Sequence, residues 1–247
     1  MNIRLVCAKK NFASINIAKQ IKEISPSTEI LESECDVLDI PCDFSDAEII
    51  VLSSHKSKNP VPMLTVHAPG NWDSADFGGN PKTLNICSAN LMRKIISEID
   101  KNNKEMKLNW KVVLECDHHG PTCKIPITFV EIGSTQKEWE NKTAGLVIAK
   151  SILEAIKRTD VCETVFAVGG GHYSEKFTKL AVLGKYSIGH ILPKYKIDNI
   201  DEDVFIQAVK KNDSLVRKIL IDENCSINQK NKINAFCRKY GILVEKC

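Results

Sequence analysis

His118 and His119 stand side by side in Cys116-Asp117-His118-His119-Gly120-Pro121, and His172 closes the turn Gly169-Gly170-Gly171-His172-Tyr173; each motif follows an apolar run. Two further histidines repeat the pattern, His67 in Val66-His67-Ala68-Pro69-Gly70-Asn71 and His190 in Ile188-Gly189-His190-Ile191. Imidazole titrates near neutrality and ligates metals, so histidine-bearing turns at strand ends predict hydrolytic or metal-assisted chemistry where they converge on one rim. His118, His119 and His172 are the first candidates for metal ligand or general base, with Glu115, Asp117, His67 and His190 behind them. Strand alternation would point Glu115, Asp117 and His119 to one side and Cys116 and His118 to the other, so all five meet only if the Gly120-Pro121 turn bends the chain. The competing reading is a turn whose histidines cap backbone carbonyls.

The Gly169-Gly170-Gly171 turn joins a strand to a helix, where converging amides could receive an oxyanion or a terminal phosphate; a turn tight only for packing is the alternative. Its spacing is neither Gly-x-Gly-x-x-Gly nor a P-loop, which argues against dinucleotide or nucleoside-triphosphate binding. His55, among Ser, Lys and Asn, reads as a solvated loop histidine. His190 reads either as a satisfied core histidine or, because Gly189 adjoins it, as a point of close ligand approach. Nucleophile-elbow and His-Glu-x-x-His signatures are absent, and aromatic residues, 6% of the chain, do not form an RNA-stacking pattern.

These turns need strands to hold them. The pattern predicts strands at Ile3–Cys7, Glu48–Leu52, Leu64–His67, Lys111–Cys116, Ile125–Ile132, Thr164–Val168 and Ser187–Leu192. Helices are predicted after Ser14 (apolar positions Ile15, Ala18, Ile21 and Ile24), after Ser88 or Asn90, over Lys142–Ile156 and after Ser174. Ser53 to Pro60 reads as a polar loop, and Pro69 to Pro81 as a long loop of the kind that carries function. Strands interleaved with helices predict an α/β fold: a mainly parallel or mixed central sheet with helices on both faces, as a catalytic domain over residues 1–200. Residues 201–247 read as a tail of two helices and a short strand, peripheral or packed on the same domain.

With 247 residues, 43% hydrophobic and 26% charged, the chain is long enough to bury one sizeable core. No apolar run is long enough for a membrane span, and the N-terminus reads as a buried strand rather than a signal peptide, so a cytoplasmic location is expected. The ten cysteines include no Cys-x-x-Cys pair and read mostly as reduced buried thiols, with Cys116 and Cys123 keeping a metal-ligand possibility. Glu23 to Glu48 carries nine acids and no Lys or Arg, a stretch that no phosphate backbone would touch, whereas the C-terminal half leans basic.

Six motifs in consistent order over roughly residues 1–195 resemble the archaeal and plant type of D-aminoacyl-tRNA deacylase: Ser54-His55-Lys56-Ser57, Leu64 to Asn71, His118-His119-Gly120-Pro121, Glu131 to Thr135 with Trp139, Gly169 to Tyr173, and Gly189 to Tyr195. The resemblance implies hydrolysis of the ester between a D-amino acid and the 3′-terminal ribose of tRNA. It also implies two zinc ions per subunit, a monomer, and a phosphorylase/hydrolase-like α/β fold. On this reading His118, His119, His172, Glu115 and His67 are catalytic candidates, and His118, His119, His172 and Asp117 metal candidates. Gly169, Gly170, Gly171, Tyr173, His190, Lys194 and Asn71 are the substrate-binding candidates, while Lys176, Lys179, Lys185, Lys194 and Lys196 are expected to hold acceptor-stem phosphates. Asp117 stands where the family usually has threonine. Another tRNA-ester or nucleoside hydrolase or phosphorylase of this architecture, and a non-catalytic acceptor-stem binder, are the alternatives.

Overall fold

Apolar runs such as Ile49-Ile50-Val51-Leu52 have no polar face, so they are buried only in strands covered on both sides. In the computed structural model, which describes residues 2–42, 47–58 and 60–247, these runs become the strands of two sheets. Met1 of the predicted N-terminal strand, residues 43–46 of the acidic run and Asn59 of the predicted polar loop lie outside the described residues.

The first half of the chain runs β1 (Asn2–Ala8), α1 (Phe12–Ile24), β2 (Ile30–Ser33), β3 (Ala47–Lys56), β4 (Met63–His67), β5 (Gly70–Asn71), β6 (Thr83–Leu84), α2 (Ala89–Glu105) and β7 (Lys111–Leu114). It continues with β8 (Ile127–Ser134), α3 (Gln136–Trp139), α4 (Lys142–Ala155), β9 (Thr164–Val168), α5 (Glu175–Val182) and β10 (Ser187–Leu192). The last stretch adds α6 (Glu202–Lys210), β11 (Lys218–Ile221), α7 (Ile227–Tyr240) and β12 (Leu243–Lys246). Six strands form a mixed sheet in the order β2-β1-β3-β8-β4-β7, in which only the β4–β8 pair is antiparallel. Four form a parallel sheet, β10-β9-β11-β12.

Alternation assigns each face of the larger sheet. Leu52, Leu64, Val66, Leu114, Val130 and Ile132 face a core shared with α1, α2 and α4, while Val51, Ile127 and Phe129 face a smaller cluster under the loops. Helices therefore cover one face of this sheet and leave the other for loops and polar groups. The parallel sheet is covered on both sides: Phe166 and Ile219 pack with residues of α6 and α7, and Val165, Ile188 and Leu220 join the main core. Among the described residues no helix is long and apolar enough to cross a membrane.

Two expectations change. Asn11, not Ser14, caps α1, because the Ser14 hydroxyl instead accepts from the Ala8 amide; the buried stripe is Ala13, Ile17 and Ile21, leaving Ile15 and Ile24 each 44% exposed. The C-terminal stretch has the two expected helices and the short last strand, but it adds β11, which runs between β9 and β12 with Ile219 and Leu220 fully buried. Leu220→Ala is therefore expected to lower global stability by about 2–5 kcal/mol. Denaturant unfolding followed by both fluorescence and circular dichroism should show one shifted transition; a separate early transition for the C-terminal segment would show that it folds apart from the sheets.

Candidate active site

The register places polar side chains together on the loop-covered face. In β3 and β8, Ser53 pairs with Glu131 and His55 with Gly133; in β8 and β4, Thr65 pairs with Glu131 and His67 with Phe129. His55, Glu131, Thr65 and His67 therefore project on the same side, opposite the helices. Gly133 is required there, since a Cβ would lie 2.8 Å from His55 Cδ2. β7 ends at Leu114, beyond which Glu115 makes a bridge with Tyr173 and the Cys116 amide donates to His172 O at 2.9 Å. Those contacts stitch the turn after β9 onto the end of β7, so the site lies where the two sheets meet.

Five imidazoles gather around two buried carboxylates. His67, His118 and His119 each donate Nδ1–H to a backbone carbonyl, those of Ala68, Cys116 and Gly120 respectively. That assignment leaves Nε2 of the neutral His118 and His119 rings with a free lone pair, and the ligand atoms of all three residues lie within 4.8 Å of one another. His119 holds φ at 49°, which aims its ring inward, and Gly120 packs so tightly on Gly79 that a Cβ there would stand 2.4 Å from Gly79 N. Cys116, His118 and His172 form a second such group, and His55, Glu115 and Glu131 a third.

Charge is divided unequally among the rings. Glu115 Oε2 lies 2.6 Å from His172 Nε2, and Oε1 lies 3.2 Å from His55 Nδ1; despite burial, these partners hold the Glu115 carboxyl well below the usual range. Burial works against charge on His55, but Glu115 and Glu131 outweigh it and raise its pKa to about 11. The same contest raises His172 to about 9, with Cys116 and Glu115 as the opposing partners. Burial and the neighbouring His67 push His119 down to about 4 and His118 well below its ordinary value. For His67, burial is outweighed chiefly by Glu131, although its Nε2 has no hydrogen-bond partner; Glu131 Oε2, 3.8 Å away, is an ion-pair contact only.

The structure thus brings His67, His118, His119, His172 and Glu115 together. Asp117 is turned away: its carboxylate accepts from His190 Nδ1 at 2.8 Å and from the Ile191 amide at 2.6 Å, so it joins none of the three groups. His190, fully buried, donates Nε2–H to Lys211 O at 2.8 Å and is a core residue. The close approach at Gly189 is made by Asn212, whose Oδ1 would stand 2.2 Å from an added Cβ. In the glycine turn, the Gly169 amide is taken by Leu192 O and the Gly170 amide by the Asp222 carboxylate, so neither is available to an oxyanion or phosphate. Tyr173 OH is 2.7 Å from His55 Nε2, behind the site. Lys194 reaches out to Asn224 O, Lys176 pairs with Asp222 and Lys185 with Glu245. Cys123 is disulfide-bonded to Cys42 and is no ligand.

A cleft of about 280 Å³ opens over the histidines, lined by Asn71, Phe77, His118, His119, His172 and Tyr195 among others. Asn71 spends its amide on Gly78 O and Asn80 O, shaping the loop rather than presenting a free donor. Of the five lysines, Lys196 lines the cleft, paired with Asp73 at 2.7 Å. His55 and Glu131 are the site residues that sequence reasoning missed, whereas Cys116, kept as a possible metal ligand, does stand in one of the groups. The polar run Ser53-Ser54-His55 disguised the last turn of a buried strand; the signal was its alternation in step with Ile49 to Leu52.

The depressed His119 pKa has a stability consequence. Between pH 6.5 and 4 the unfolded chain takes up a proton that the folded ring refuses, so this contribution to stability is full above 6.5 and is lost as pH falls towards about 4. His119→Asn keeps a residue tolerant of positive φ and should flatten that dependence in urea midpoints measured from pH 7 to 4.5. Parallel curves for the two proteins would show that His119 titrates normally.

A family model described as D-aminoacyl-tRNA deacylase matches residues 43–245. The D-aminoacyl-tRNA deacylase of Methanocaldococcus jannaschii is 40% identical over 261 aligned residues that cover all of both chains. That of Saccharolobus islandicus strain L.S.2.15 is 34% identical over 249, covering 99% of each. A crystal structure of a conserved protein of unknown function superposes with a TM-score of 0.90 at 26% identity, over 99% of this chain and 95% of the other. The chain belongs to the D-aminoacyl-tRNA deacylase family.

Proposed function

We propose that this protein hydrolyses the ester joining a D-amino acid to the 3′-terminal ribose of tRNA, acting in the cytoplasm. The observation that supports this reading is the grouping of His67, His118 and His119, whose ligand atoms lie within 4.8 Å of one another, beside an open cleft that His118 and His119 line. Three imidazoles, of which His118 and His119 are held neutral, are a donor set that suits catalytic zinc once His67 gives up its proton, and the unpartnered, buried Nε2 of His67 is a polar atom that an ion would satisfy. The site residues therefore fit the zinc that the resemblance implies, with His67, His118 and His119 holding one ion. His118 has a single free nitrogen, so a second ion would have to displace the proton of His172 beside Cys116 or that of His55 beside Glu115 and Glu131. A zinc ion bound here would supply Lewis-acid polarisation of the ester carbonyl.

The chain's own groups supply the rest. His172 is held cationic by Glu115 at the cleft wall, so it favours negative charge developing on the carbonyl oxygen. Glu115 and Glu131, ionised and out of contact with solvent, hold His55 and His172 in place and keep their charge from drifting. An aminoacyl ester is already labile, so no nucleophilic side chain is needed, and a cleft of this size can reject the L side chain by shape.

Hydrolysis of a D-aminoacyl-tRNA and its L counterpart by zinc-loaded protein tests the reading. The D ester should be cleaved selectively, and His118→Ala should lose at least ~100-fold in kcat/KM. Removing zinc with a chelator should abolish turnover and re-adding it should restore turnover. Equal rates on both esters, or full activity of His118→Ala, would overturn it.

A further inference from the structure

Phe77 is 70% exposed and Tyr195 is 55% exposed, yet both are rim residues of the histidine cleft and neither sits on a loose segment. Phe77 O accepts from the Gly120 amide at 3.0 Å, one residue beyond His119, while the adjoining Gly78 and Asn80 carbonyls accept from Asn71 Nδ2. The Asn80 amide donates to Thr122 Oγ1 at 2.8 Å, closing the loop onto the far side of the same turn. Tyr195 OH lies 3.6 Å from Cys116 Sγ, which sets its ring beside the second ligand group. Two aromatic rings exposed on the rim of one cleft leave apolar faces free to cover a flat partner.

We propose that Phe77 and Tyr195 form a stacking platform for the base of the substrate's terminal nucleotide, positioning the ribose that carries the scissile ester over the histidines. This inference rests on the deacylase reading. The base is the occupant because it is flat, is attached to the same ribose as the ester, and is common to every tRNA, whereas the amino-acid side chain varies. Aromatic stacking recognises such a ring without hydrogen-bonding its edge.

The test compares wild type, Phe77→Ala, Phe77→Trp and Tyr195→Leu on D-aminoacyl-tRNA and on the same substrate ending in an abasic ribose. Phe77→Ala and Tyr195→Leu should each raise KM about tenfold with kcat within about threefold, and Phe77→Trp should restore KM. Removing the base should raise the wild-type KM about tenfold and that of Phe77→Ala no further. Unchanged KM in both truncated variants, or an equal penalty for the missing base in wild type and Phe77→Ala, would overturn the platform alone. Wild-type protein inert on intact D-aminoacyl-tRNA would overturn the deacylase reading and the platform with it.

Discussion

Two carboxylates, Glu115 and Glu131, are almost completely removed from water, and a buried carboxylate stays ionised only where a cation meets it. Here the cations are protonated imidazoles: His55 faces both carboxylates and His172 faces Glu115. This pairing fixes everything else in the site. It consumes the negative charge locally, so His118 and His119, packed beside the other rings, lose more from burial and like-charge repulsion than they gain and remain neutral. One group of histidines becomes charge, the other becomes lone pairs.

Neutrality alone does not make a ligand, because a neutral imidazole can carry its proton on either nitrogen. The carbonyls of Cys116 and Gly120 settle the choice by accepting from Nδ1, which leaves the lone pair on Nε2. Both carbonyls belong to the same short turn, whose path depends on Gly120 lying against Gly79 and on backbone bonds to Ile191 of β10 and to His172 in the turn after β9. Shaping a few atoms therefore requires both sheets. The C-terminal segment takes part at one remove: Lys211 O holds His190, His190 holds Asp117, and Asp117 anchors the turn.

Much of this was legible in the chain itself. Apolar runs such as Thr164 to Val168 and Ser187 to Leu192 appear as strands with the limits their composition suggests, since a run without a polar face has little choice. The His118-His119 pair and His172 announced themselves by following such runs. What could not be read was long-range register. Ser53-Ser54-His55 looks like solvent-exposed loop until β8 supplies Glu131 and a side-chain-free Gly133 to receive it. Asp117 looks like a ligand until the irregularity between Ile188 and Ile191 delivers His190 to it, and Gly189 looks like a ligand contact until Asn212 arrives from the C-terminal segment. β11 was hidden because Ile219-Leu220-Ile221 is short and sits among lysines and asparagines.

The central claim is a division of protons among neighbouring rings, and nitrogen-15 NMR of the histidine side chains reads it directly. In metal-free protein at pH 7 the account predicts His55 and His172 as imidazolium, and His118 and His119 as neutral rings protonated at Nδ1 whose Nε2 resonances move when zinc is added. Neutral His55 with imidazolium His118 or His119, or an Nε2–H tautomer for either of that pair, would contradict it.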